Sequence, residues 1–232
     1  MNQYTIPVGS ALVDVLVFVY EPVASNMYFI PRGKTGIVFD PNINDELPAL
    51  LKEYGIKTVQ IILTHEHYDH TTGVEWLQGL IPATVFCHED CAKYISSEKG
   101  NTPRLVAMAL KTKDLADGGH RCEAFMAQYK PYTLTADKTF AKKEKLDIED
   151  LTFDCFSTPG HSPGSACYII DGKYIFTGDS LIENSPTITR FRTSNNDTFE
   201  NVTRPFLRSP DKNMLVFPGH GEPFKIKDAK FL

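Results

Sequence analysis

Four side chains able to ligate a metal ion leave one short stretch of the chain: His65, His67, Asp69 and His70, in the run Thr64-His65-Glu66-His67-Tyr68-Asp69-His70. Imidazole suits zinc, iron and related metals, and a carboxylate adds a hard anionic oxygen, so this mixture can hold two adjacent cations with different coordination shells. A surface loop can carry three histidines with no such role. Three further segments of the same chemistry shift the balance: Pro159-Gly160-His161, Gly178-Asp179-Ser180 and Pro218-Gly219-His220-Gly221. Each sets a potential ligand beside a glycine, which lets backbone approach closely or take unusual dihedrals. Alone, each reads as a turn or cap residue. Together, His65, His67, Asp69, His70, His161, Asp179 and His220 form a metal-binding framework.

The elements that must position these groups are legible from pattern. Residues 13–19, 26–30, 36–39 and 58–63 are short, rich in Val, Ile, Phe or Tyr, and bounded by Pro, Gly or Asn, as strands are. The last of them runs straight into the ligand-rich segment, and a helical stretch over 72–78 follows. Residues 44–54 carry Leu47, Leu50, Leu51 and Tyr54 at helical spacing after an Asn or Asp cap, and stop at Gly55. In the second half, 151–156, 166–170, 174–177 and 214–217 read as strands, with Asp171-Gly172 as a hairpin turn. Two strand-rich halves, each with helices, predict two sheets packed face to face under outer helices, a four-layered αββα arrangement of mixed α/β class. Residues 89–127 differ from both halves and read as a helical insertion, which could pack over a sheet, wall a substrate site or form a homodimer contact.

His65 to His70, the segment Thr158-Pro159-Gly160-His161-Ser162-Pro163-Gly164-Ser165, then Thr177-Gly178-Asp179-Ser180 and Phe217-Pro218-Gly219-His220-Gly221, resemble the metallo-β-lactamase superfamily in order and spacing. Phe39-Asp40-Pro41 and Ser25-Asn26-Met27-Tyr28 resemble its N-terminal half. The likeness covers nearly the whole chain, and the insertion is its least matched part. The resemblance implies that His65, His67 and His161 bind one metal and Asp69, His70 and His220 a second, with Asp179 bridging. Two such cations, zinc first and iron or manganese also compatible, would lower the pKa of a shared water toward ~7 and present hydroxide to an electrophile. Asp69 would both ligate and orient that water or take its proton.

Composition bounds the rest. The chain has 232 residues, 42% hydrophobic and 23% charged, which suits one folded domain over 1–232. At a net charge of −5, with Lys and Arg dispersed, no basic stripe points to nucleic acid. The five cysteines are an odd number and no leader-like opening is evident, so a cytoplasmic setting with reduced thiols is expected. The apolar stretch 11–20 is interrupted by Asp14 and too short for a membrane helix. Cys87-His88-Glu89-Asp90-Cys91 reads as an ordinary buried strand end, His120 as a loop histidine, and Arg190 and Arg192 as solvated charges. Tyr68 could shape a pocket or pack beneath the loop. No Gly-x-Ser-x-Gly turn offers a serine nucleophile.

The expected function is hydrolysis of a small-molecule ester, lactone or thioester by metal-bound hydroxide. Only twelve residues follow His220, which argues against the C-terminal helical domain of glyoxalase II and its glutathione thioester. Asp179 in the bridging position resembles the thioesterase and lactonase groups more than true β-lactamases. A mononuclear iron dioxygenase acting on a persulfide, using three of the same ligands, is the enzymatic alternative. A metal-stabilised binding protein is the non-catalytic one.

Overall fold

The computed structural model describes residues 1–98, 100, 103–129 and 132–232. Its first sheet has the order β1 (Asn2–Val8), β2 (Ala11–Tyr20), β3 (Ser25–Arg32), β4 (Thr35–Phe39), β5 (Thr58–Ile62), β6 (Ala83–His88) and β7 (Lys138–Phe140). β1 to β4 meander antiparallel, whereas β4 to β7 run parallel. The second sheet is ordered β13 (Phe224–Lys225), β12 (Leu215–Pro218), β11 (Tyr174–Gly178), β10 (Ala166–Ile170), β9 (Leu151–Ser157) and β8 (Lys143–Ile148), antiparallel except for the β11–β12 pair.

The period of two along each strand sorts side chains into three apolar clusters. In β4, Ile37 and Phe39 face the opposing sheet, while Val38 faces outward onto helices. The inter-sheet cluster joins Val13, Val15, Ile30 and Phe39 of the first sheet to Phe153, Tyr168, Phe176 and Phe217 of the second. Outside the first sheet, Phe29 and Val38 pack with Leu47 and Leu51 of α1 (Leu47–Glu53), Val74 and Leu77 of α2 (Val74–Leu80) and Cys91 of α3 (Glu89–Ile95). Outside the second, Ile169, Ile175 and Val216 pack under Leu207. This is the αββα arrangement expected from the sequence.

Local signals explain the punctuation. Asn44 Oδ1 accepts from the N–H groups of Glu46 and Leu47 ahead of α1, and Gly55 closes it in the left-handed region at φ 67°. Asp171 and Gly172 take φ 53° and 60°, a type I′ turn, and Lys173 N–H bonds Ile170 O across it. Between β6 and β7 stand α3, α4 (Arg104–Asp117) and α5 (Arg121–Gln128). No helix among the described residues is long and apolar enough to cross a membrane.

The centre of the inter-sheet cluster is an aromatic stack. Phe176, fully buried, lies 4.1 Å from Phe39 at 3° and 4.8 Å from Phe217 at 14°. Phe176→Ala should therefore destabilise the fold by about 3–5 kcal/mol, read as a lowered urea midpoint with unchanged slope; a loss below about 1 kcal/mol would contradict this packing.

Candidate metal centre

The seven candidate ligands converge because their strands end at the same side of the sandwich. β5 delivers His65, His67, Asp69 and His70, the last two in a 3₁₀ turn over Tyr68–His70. β9, β11 and β12 deliver His161, Asp179 and His220 from the opposing sheet, and the parallel register Gly178↔Pro218 sets the last two side by side. Gly219 is required there: a Cβ on it would meet Asp179 Oδ1 at 2.1 Å.

Ligating atoms of His65, His67, His161 and Asp179 lie within 4.8 Å of one another, as do those of Asp69, His70 and His220. In the first group, His67 Nδ1 is 3.0 Å from both His65 Nε2 and His161 Nε2. Burial drives His67 down to about 3, and holds His65 well below and His161 below the ordinary imidazole value, so all three are neutral at pH 7. A neutral His67 offers at most one proton there, which can satisfy one neighbour but not both; the remaining lone pairs face each other around a point that a cation can fill.

The second group carries opposite charges. Asp69 Oδ2 lies 3.5 Å from His70 Nε2 and His220 Nε2. Burial opposes charge here, yet the carboxylates of Asp69, Asp179 and Asp40 raise His70 to about 9, and Asp179 with Asp69 raises His220 to about 11. Conversely, against the same burial, the imidazoles lower Asp69 to about 2 and hold Asp179 well below the carboxylate range. Without metal these two histidines are imidazolium at neutral pH, so a cation must displace their protons, and its affinity rises with pH across that range.

Each imidazole is aimed from behind. Asp40 is buried and accepts from Thr64 N–H at 2.7 Å, from Thr64 Oγ1 at 2.6 Å and from His70 Nδ1 at 2.9 Å. With its hydroxyl proton committed to Asp40, Thr64 Oγ1 accepts from His65 Nδ1 at 3.0 Å. His161 Nδ1 donates to Ile188 O at 2.8 Å, and His220 Nδ1 to Ala24 O at 3.1 Å. These bonds engage Nδ1 and turn Nε2 toward the centre on four of the five rings. Asp40 achieves this from a left-handed φ of 47°, a conformation that Asp tolerates better than most residues. Asn26 Nδ2 donates to Pro218 O at 3.0 Å and to Gly221 O at 2.7 Å, so β3 of one sheet holds the His220 turn of the other.

Glu66, inside the ligand run, points the other way. Burial raises it to about 7, and it accepts from Ser162 Oγ at 2.9 Å, tying the His65–His67 segment to the turn after His161. Phe191 is another residue that sequence pattern did not single out; its ring stands edge-on to His67 at 5.4 Å and to His161 at 5.6 Å. Arg190 and Arg192 beside it are exposed. The Cys87–Cys91 segment lies elsewhere, with both thiols buried and both His88 nitrogens engaged, Nε2 donating to Ala141 O and Nδ1 accepting from Asp90 N–H. His120 is exposed just ahead of α5.

Asp40→Asn would replace the charged acceptor behind His70 with a neutral amide that has one acceptor oxygen instead of two. Metal affinity of the second group should fall about 10–100-fold, measured by competition with a chromophoric chelator; wild-type affinity would contradict the role given to Asp40.

Comparison with known proteins agrees with this architecture. The chain is 24% identical to a probable metallo-hydrolase of Bacillus subtilis, YqgX, over 86% of each chain. It is 22% identical to a mitochondrial persulfide dioxygenase of Bos taurus, covering 95% of this chain and 72% of that one. Among solved structures, the BLEG-1 B3 metallo-beta-lactamase superposes with a TM-score of 0.69 at 25% identity, over 92% of this chain and 95% of the other. The sequence profile of the metallo-beta-lactamase superfamily matches residues 20–220, and with this fold beneath it the chain belongs to that superfamily.

Proposed function

We propose that this protein is a metal-dependent hydrolase whose dinuclear centre opens a small ester, lactone or thioester. The observation that carries the reading is the placement of Asp179. Its Oδ2 lies 3.5 Å from His161 Nε2 and its Oδ1 3.5 Å from both His70 Nε2 and His220 Nε2, so one carboxylate faces both ligand groups. The donor set fits divalent cations. Among the described residues, His70 Nε2 and Asp179 Oδ1 are buried polar atoms that make no hydrogen bond and meet each other only at 3.5 Å, a gap that a shared cation would fill.

His65, His67 and His161 would hold one cation, and Asp69, His70 and His220 the other, with Asp179 shared between them. Mixed imidazole and carboxylate donors suit Zn2+, and iron or manganese also fit. When bound, such a pair lowers the pKa of a shared water toward ~7 and draws charge from the substrate's carbonyl oxygen. Asp69 Oδ2 faces the imidazoles of His70 and His220, which leaves its other oxygen to orient the attacking water and accept its proton. The bonds to Asp40, Ala24 and Ile188 keep His70, His220 and His161 from rotating as charge develops.

The assembled second group supports the hydrolase over a mononuclear iron persulfide dioxygenase, which would leave Asp69 and His220 without a task. A purely binding role likewise gives no use to an acidic oxygen at the rim of the centre. Protein loaded with Zn2+ and assayed on esters, lactones and thioesters should prefer one of these classes, and Asp69→Asn should lower kcat about 100-fold or more at saturating metal. Silence on every class, with iron-dependent oxygen uptake on a persulfide, would overturn the reading in favour of the dioxygenase.

A further inference from the structure

Two sets of aromatic side chains flank the metal centre, and neither is needed to hold the ligands. The first is the loop over residues 188–195. It is fastened to the His161 turn at three points: His161 Nδ1 donates to Ile188 O at 2.8 Å, Ser194 Oγ donates to His161 O at 2.5 Å, and Asn195 N–H bonds Gly160 O at 2.8 Å. Between those fastenings, Ser194 N–H closes a turn on Phe191 O at 3.0 Å. The loop thus presents the Phe191 ring against the edges of His67 and His161 while leaving part of that ring in solvent. Ile188 in the same loop is 44% exposed. An apolar ring held in place beside the metal centre and partly open to solvent is a surface that the apolar part of a substrate would cover favourably.

The second set belongs to the helical segment between β6 and β7. α5 buries none of its own residues, yet it holds Phe125 edge-on to Tyr68 at 5.8 Å and 90°. Tyr129 and Tyr132 add rings at 5.7 and 5.5 Å from Tyr68. The helix is not adrift: Asp114 of α4 accepts from the N–H groups of Arg121 and Cys122 at the start of α5, and Lys113 Nζ reaches Pro22 O in the loop that carries Ala24. Tyr68 shares the 3₁₀ turn Tyr68–His70 with the candidate ligands Asp69 and His70. One aromatic wall thus stands against His67 and His161, and the other grows from the turn that carries Asp69 and His70.

We propose that these walls form an apolar cleft across the metal centre, with Phe191 on one side and the Tyr68–Phe125 pair on the other, and that the favoured substrates are esters or thioesters of medium-chain or aryl carboxylic acids. This rests on the hydrolase reading and adds the acyl group it selects. Aromatic faces bind alkyl and aryl groups by burial and edge-to-face contact, and each methylene carried into such a cleft raises selectivity several-fold. An acetyl group offers these walls a single methyl and so gains least from them. A charged acyl group would gain nothing from them.

The test pairs turnover with binding. On Zn2+-loaded protein, p-nitrophenyl octanoate and phenylacetate should exceed the acetate ester in kcat/KM by about tenfold or more. By calorimetry, octanoate should bind at least about tenfold more tightly than acetate or succinate. Phe191→Ala should erase most of both preferences, Phe125→Ala part of them, and Phe191→Tyr should retain them, with bound metal unchanged in all three. Octanoate binding no better than acetate, succinate binding best, or preferences that survive Phe191→Ala would each overturn the proposal. If octanoate binds selectively and no ester is turned over, the hydrolase reading fails while the apolar cleft stands.

Discussion

The structure turns on the cost of gathering five imidazoles and two carboxylates at one end of a sandwich. His67 Nδ1 faces His65 Nε2 and His161 Nε2 at 3.0 Å each with burial holding the rings neutral, and His70 Nε2 and Asp179 Oδ1, buried and without a hydrogen bond among the described residues, meet only at 3.5 Å. Repelling lone pairs and unsatisfied polar atoms cost free energy, so something else must hold them. The aromatic stack of Phe39, Phe176 and Phe217 does so from below, fixing the distance between sheets whose strand ends carry the ligands. The hydrogen bonds behind the ligands do so from the sides. Bound cations would convert the same arrangement from a strain into the stabilising centre of the domain.

The second sheet does not simply face the first; it is sewn to it at the site. Asn26 and Tyr28 of β3 donate to Pro218 O and Ala24 O accepts from His220, while Ser25 Oγ, within the first sheet, donates to Asp69 O. The two ligand groups are therefore not independent modules. Thr64 joins them from behind, because its hydroxyl bonds Asp40, which aims His70, and also accepts from His65, while the Glu66–Ser162 contact ties the His65–His67 segment to the His161 turn.

Much of the fold was legible in the sequence because period-two strands run into the candidate ligand segments, three of them marked by a glycine, and both signals are local. The Asp171-Gly172 turn, the strands feeding each ligand segment and the four-layered fold followed from the same reasoning. Other elements left weaker traces. β8 is an edge strand whose segment Lys143–Ile148 is mostly exposed and charged, so it lacks the apolar alternation of a buried strand. β7 is three residues long and joins its sheet only through a parallel partner distant in sequence. Asp40 carried a partial signal, an aspartate at a strand end before proline, but its role in aiming His70 depends on a contact thirty residues away. Phe191 and Phe125 carried none, since an aromatic residue in a loop or on an exposed helix gains meaning only from what lies beside it in space.

The central claim is that this chain builds one centre for two cations with Asp179 between them. Anomalous diffraction at the zinc edge from crystals of metal-loaded protein tests it most directly. The account predicts two peaks, one against His65, His67 and His161 and one against Asp69, His70 and His220, each in contact with the Asp179 carboxylate. A single peak, or a second one away from Asp179, would contradict it.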